Sequence, residues 1–124
     1  NDIVNASREI LIVSPFVTKK RSLQMLKSLE IPIGNKVKVV VMTRPADDFK
    51  GKDVNALQTV LELLKNASIS LVFKSNIHQK FAVIDQRVVW YGSINLLSFG
   101  RAEESIMRLE SANIANELIK SIVK

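Results

Sequence analysis

Short apolar runs alternate with longer amphipathic stretches along the chain, a pattern that predicts an α/β layer architecture. Residues 2–7 read as the tail of a helix. Residues 10–13 form a continuous apolar run rich in β-branched side chains, suited to a strand buried on both faces, and Pro15 ends it. Thr18 is placed to cap a helix in which Leu23, Leu26 and Leu29 recur at helical spacing as far as the breaker segment Pro32-Ile33-Gly34. A second strand over 36–43 takes its bulk from Val37, Val39, Val40 and Val41. Residues 44–52, with Pro45 and Gly51, read as a loop, after which Asp53 caps a helix carrying Val54, Leu57, Val60, Leu61 and Leu64 on one face.

The second half predicts strands over 69–74, 78–84 and 88–91, with a short turn at Asp85-Gln86-Arg87. A loop of polar and small residues over 92–102 and a strand over 104–109 follow. Ser111 then caps a helix striped by Ile114, Ala115, Leu118, Ile119 and Ile122. The polar face of that helix is not rich in lysine or arginine, so the pattern favours packing on a sheet over lying on a membrane. The expected fold is a mixed β-sheet flanked by helices on both faces.

Composition narrows the function. The 124 residues make one domain's worth of chain, and the 47% apolar and 24% charged shares are those of a globular protein. No apolar stretch reaches the roughly 18 residues of a transmembrane helix, and no basic-then-apolar leader opens the sequence. The chain starts at Asn1, so a single domain over 1–124 excised from a longer cytoplasmic protein is the expectation. There are no cysteines, which excludes disulfides, thiolate nucleophiles and cysteine-ligated metals. There is one histidine, His78, so a mechanism needing two imidazoles cannot be completed within one copy. The net charge of +6 suits a phosphate-bearing partner, although it also serves plain solubility.

One constellation carries candidate chemistry: His78, Lys80 and Asp85, followed by Gly92, Ser93 and Asn95. Taken singly, each is ordinary; a strand histidine is usually structural, a lysine a solvated charge, and an aspartate before a turn a turn former. Together they are sharper. His78 and Lys80, two apart on the expected strand, share one face, while Gln79, Phe81 and Val83 take the other. The short turn makes the next strand an antiparallel neighbour, which returns Ser93 and Asn95 to the sheet edge where His78 begins. An imidazole, an ammonium, an amide and a hydroxyl on one spot suit a phosphate. Lys80 supplies charge, Ser93 and Asn95 neutral donors, Gly92 close backbone approach, and His78 a nucleophile or proton carrier. No second histidine, carboxylate cluster or P-loop favours a metal-dependent route, so no cofactor is expected.

The spacing H-x-K-x4-D-x6-G-S-x-N resembles the phospholipase D superfamily signature at each of its specified positions, a match expected by chance in on the order of one chain in a million. The Ile-Val-Ser-Pro-Phe run at 12–16 resembles that family's first strand and its exit, and Glu104 resembles its glutamate that orients the catalytic histidine. The resemblance implies one half-unit of a two-halved fold and a metal-independent phosphodiesterase. In it His78 attacks phosphorus, a second motif's histidine protonates the leaving oxygen, and Lys80, Ser93 and Asn95 hold the phosphoryl oxygens. Asp85 is implied to be structural. With one histidine per chain, a homodimer with both motifs facing is the simpler completion, and another part of a parent protein is the alternative.

Three substrate readings follow. A nuclease is favoured by the basic balance, with Lys19, Lys20, Arg21, Arg44, Lys74 and Arg101 available to track a phosphate backbone of DNA or RNA. A nucleic-acid-binding accessory domain is the alternative, because residues 90–108 resemble the C-terminal domains of bacterial helicase-like proteins. A phospholipase ranks third; Leu96, Leu97 and Phe99 would have to form its apolar entrance rather than a core anchor or dimer contact. Of Trp90 and Tyr91, one is expected to point into the core and the other is available for base stacking.

Overall fold

The computed structural model describes residues 5–14, 19–45, 53–75, 77, 79–92 and 106–123. Among the described residues nine elements follow one another: β1 (Glu9–Val13), α1 (Lys19–Gly34), β2 (Lys38–Thr43), α2 (Asp53–Asn66), β3 (Ser70–Phe73), β4 (Phe81–Ile84), β5 (Val88–Gly92), β6 (Ile106–Glu110) and α3 (Ala112–Val123). The strands form one mixed sheet in the order β3-β2-β1-β4-β5-β6. β1, β2 and β3 are parallel, whereas β4 returns antiparallel against β1 and is followed by antiparallel β5 and β6.

Alternation along the strands sorts the core into two layers. Ile10 and Ile12 of β1, Val39 and Val41 of β2, and Ala82 and Ile84 of β4 pack with Leu29 of α1 and Leu57, Val60, Leu61 and Leu64 of α2. Leu11, Val13, Met42, Phe81, Val83 and Val89 point the other way and pack with Ala115 and Ile122 of α3. The sheet is therefore sandwiched between α1 and α2 on one face and α3 on the other, as the apolar run at 10–13 predicts for a central strand buried on both sides.

The helix ends differ from the sequence expectation in an instructive way. α1 continues through Pro32 to Gly34 rather than stopping at the breaker. Proline forfeits only its own amide, and here that loss falls in the last turn. The helix then closes with Lys36 in the left-handed region (φ 63), its amide donating to the Ile33 carbonyl while Val37 N–H reaches back to the Pro32 carbonyl. α2 ends the same way, with Ser68 at φ 68, Ser68 N–H donating to Lys65 and Ile69 N–H to Leu64. These are Schellman closures, and the buried Val37 and Ile69 that follow them lead directly into β2 and β3.

Three further expectations are corrected. Asn5 to Arg8 form a turn and bends, so the described part of the segment read as a helix tail is not helical. Leu23 and Ile114 are exposed, because the buried stripes of α1 and α3 run through Leu29 and through Ala115 and Ile122. The strand expected over 78–84 begins only at Phe81. Thr18 lies outside the described residues, whereas Ser111 caps α3 as expected, its Oγ accepting from Ile114 N–H at 3.2 Å.

The β4–β5 hairpin is fixed from outside by Asp85. Its Oδ1 accepts from Arg8 N–H at 2.7 Å and Glu9 N–H at 3.0 Å, and Oδ2 accepts from Ser7 N–H at 3.1 Å. Its own amide donates to the Glu9 carbonyl at 2.7 Å. Burial raises the Asp85 pKa, but the amides of Glu9, Arg8 and Ser7 and the Ser7 hydroxyl together outweigh that and hold it below the ordinary aspartate value. A carboxyl whose folded pKa is depressed contributes stability that is present above its unfolded pKa and is lost as pH falls through the folded one. Asp85→Asn keeps one carbonyl acceptor and removes the charge, so it is expected to cost about 1–2 kcal/mol at pH 7. The gap to wild type should begin to narrow as pH falls past the unfolded aspartate's ordinary value of about 4, and close as pH falls through the lower folded pKa. Urea unfolding at pH 7 and pH 3 checks this, and an unchanged gap would contradict it.

Candidate active site

The strand registers gather one end of each strand along a single edge of the sheet. Val13, at the end of β1, lies beside Met42 of β2 and opposite Phe81, which opens β4. Thr43 lies beside Phe73 at the ends of β2 and β3, and Gly92 at the end of β5 faces Ile106 at the start of β6. The carboxyl ends of parallel strands are where α/β sheets ordinarily bind ligands.

Lys80 and Gly92 meet at this edge. Lys80 stands just before β4 and is half-buried; its carbonyl accepts from the buried Gly92 amide at 3.1 Å. This bond continues the hairpin register, in which Phe81 faces Tyr91 and Ile84 faces Val88. The motif spacing is thus a ruler for the hairpin. Four residues separate Lys80 from Asp85 and six separate Asp85 from Gly92, so the two arms count out to the same rung. The turn between them uses left-handed Asp85 (φ 55) and Gln86 (φ 56), closed by Arg87 N–H donating to the Ile84 carbonyl at 3.1 Å. Left-handed central residues match the twist of the flanking strands. Asp85 sits five residues from Lys80, ~15 Å along an extended chain, and its oxygens are engaged by the entry to β1.

The candidate residues His78, Ser93, Asn95 and Glu104 lie outside the described residues, as do Arg101, Leu96, Leu97 and Phe99. In sequence, His78 is two residues before Lys80, Ser93 directly follows Gly92, and Glu104 is two residues before Ile106. Of the basic candidates, Lys20 is exposed on α1 and Arg44 is half-buried just after β2. The side chains of Lys19 and Arg21 are outside the description. Lys74 does not simply face solvent: its Nζ donates to the Ile122 carbonyl at 2.6 Å, near the end of α3. Trp90 packs against the α1–α2 layer, while exposed Tyr91 stacks on Phe81 with ring centroids 6.2 Å apart.

Sequence reasoning passed over two polar groups on the same edge. Ser14 and Thr43 are fully buried directly after β1 and at the end of β2, with Ser14 N–H donating to Met42 and Lys74 N–H to Thr43. The available signal was a hydroxyl residue closing an otherwise apolar run at the ligand-binding end of a strand. Among the described residues no group of three or more acidic or imidazole side chains could hold a metal ion. No described helix is long and apolar enough to cross a membrane.

Comparison with known proteins places this arrangement. The fold is similar to that of Nuc, a phospholipase D family member from Salmonella typhimurium, with a TM-score of 0.73 and 19% identity, covering 97% of this chain and 78% of that chain. It is also similar to NucT from Helicobacter pylori, with a TM-score of 0.68 and 16% identity, covering 97% and 79% of the two chains. TrmBL2, an archaeal chromatin protein, shares the fold with a TM-score of 0.58 and 12% identity over 97% of this chain and 43% of that one. No curated sequence relative matches. The model of the family described as "Cardiolipin synthase, PLD-like domain" matches residues 1–124, and the chain belongs to that phospholipase D-like family.

Proposed function

We propose that this chain is one phospholipase D-like unit of a metal-independent phosphodiesterase acting on nucleic acid. The observation that supports the reading is the Lys80–Gly92 backbone bond, which pairs the lysine of H-x-K with the glycine of G-S-x-N on the carboxyl edge of the sheet. A basic balance of 18 lysines and arginines against 12 acidic residues favours a polyanionic substrate. The likeness of the fold to Nuc, a phospholipase D family member, and to NucT supports the phosphodiesterase reading.

In this mechanism His78 attacks phosphorus, forming a P–N bond as the P–O bond to the leaving group breaks. A second imidazole, from a two-fold-related copy, gives its proton to the leaving oxygen. Water then attacks the phosphohistidine, passing a proton back to that second imidazole, and the P–N bond breaks. Lys80, Ser93 and Asn95 hold the phosphoryl oxygens while charge builds on them, and the absence of a side chain at Gly92 allows the backbone to approach. Glu104 orients the imidazole, and Asp85 acts only through the hairpin. Because the sequence holds one histidine, the second comes from a facing copy, the simpler completion, or from another part of a parent protein.

A second reading is an accessory unit that grips nucleic acid without turnover. It is favoured by the likeness of the fold to TrmBL2, an archaeal chromatin protein with a novel mode of DNA binding. The family description names cardiolipin synthase, so lipid is the third substrate class to test.

Purified protein is expected to hydrolyse bis(p-nitrophenyl) phosphate and nucleic acid in EDTA. Activity appearing only with added divalent metal would contradict the mechanism. DNA retardation without cleavage would favour the accessory reading, and cleavage confined to phospholipid vesicles the lipid one. His78→Ala should lower kcat by at least about 10³-fold, and Lys80→Met by about 10²–10³-fold, the scale for removing one transition-state donor. Light scattering is expected to report a dimer; a monomer with full activity would remove the shared site.

A further inference from the structure

Both sequence neighbours of His78 are attached to the α3 layer, Ile77 through the buried cluster and Gln79 through Ser121. Ile77 is buried among Ala115 and Ile122. Gln79 Nε2 donates to Ser121 Oγ at 3.2 Å. The Ser121 hydroxyl has one proton, and its 2.6 Å contact with the Leu118 carbonyl uses it; the 3.4 Å approach to Gln79 Oε1 is the weaker alternative. Lys74, where the chain leaves β3, adds the third attachment through its 2.6 Å bond to the Ile122 carbonyl. A cation at a helix C-terminus also meets the negative end of the helix dipole.

We propose that Ser121, Gln79 and Lys74 are positioning residues that hold the His78-bearing segment against the last turn of α3, and so set where the nucleophile stands. The proposal rests on the phosphodiesterase reading for its kinetic consequence. Of the described residues between β3 and β4, Lys74 and Lys80 continue the ladders at the two ends through Thr43 and Gly92, and side-chain attachments to α3 add to these. Among the described residues of the segment Ile77 is the buried one, and a single apolar anchor leaves the segment free to pivot. Gln79 and Ser121 add a directional bond beside position 78. Because this bond is exposed, its contribution to stability is small, whereas nucleophilic attack is steeply sensitive to placement.

Ser121→Ala, which removes the hydroxyl that accepts from Gln79 and is not itself assigned a substrate contact, tests this. It is expected to lower kcat on bis(p-nitrophenyl) phosphate about 5- to 20-fold with KM unchanged, and Ser121→Thr, which keeps the hydroxyl, should restore the rate. The single histidine provides a second readout that needs no turnover, because the proton spectrum contains one imidazole Cε1–H resonance to follow through a pH titration. Ser121→Ala and Gln79→Leu should shift that resonance or its titration alike, with no added effect when combined. Thr59→Ala, which removes a hydroxyl bond within α2 on the opposite layer, should leave it unmoved. If wild-type protein hydrolyses none of the substrates, the functional reading fails while the resonance still decides the positioning claim. A wild-type resonance in Ser121→Ala overturns the proposal, whether or not the rate falls. Lys74→Met raising KM at constant kcat would overturn its place in the clamp and make it a substrate contact.

Discussion

The register of the β4–β5 hairpin is the constraint on which the site depends. A slip of one residue would turn every side chain of β4 to the other face, driving Phe81 and Val83 into the α1–α2 layer and Ala82 and Ile84 into the α3 layer. Two devices prevent it. The left-handed pair at Asp85 and Gln86 sets the turn, and the Asp85 carboxylate accepts three amides from the approach to β1. The hairpin is thereby indexed to the central strand of the sheet. Lys80 then lies opposite Gly92 as a matter of counting, and the two halves of the motif share an edge. An aspartate remote from the chemistry thus belongs in a motif that is otherwise about phosphate.

The same constraint explains which parts of the fold were legible. The continuous apolar run at 10–13 announced a central strand, and that at 39–42 announced β2, because burial leaves no polar alternation to misread. The stripe Leu57, Val60, Leu61 and Leu64 announced α2 because every one of those side chains is buried. Pro32 misled because its meaning depends on position within a helix, which periodicity does not report. The start of β4 misled for a related reason: Gln79, Phe81 and Val83 do share the α3 side, so the alternation is real, but the ladder begins only where Phe81 meets Val13 and Tyr91.

Within the candidate site, motif spacing made the hairpin and the Lys80–Gly92 rung readable, since a spacing encodes register once a turn is placed. It did not make α3 readable as part of the site. Nothing in the order of residues links Ser121 or the Ile122 carbonyl to position 78, because that link passes through the packing of a helix on the far side of the sheet. Lys74 illustrates the cost: as sequence it is one more basic residue near a phosphate site, and as structure its ammonium is committed to a helix end.

The central claim is that His78 becomes covalently bonded to phosphorus and that water acts only afterwards. Stereochemistry at phosphorus tests this most directly. Hydrolysis of a chiral phosphorothioate diester in isotopically labelled water by two successive in-line displacements must return the original configuration, so the account predicts net retention. Net inversion would mean a single direct attack by water and would contradict it.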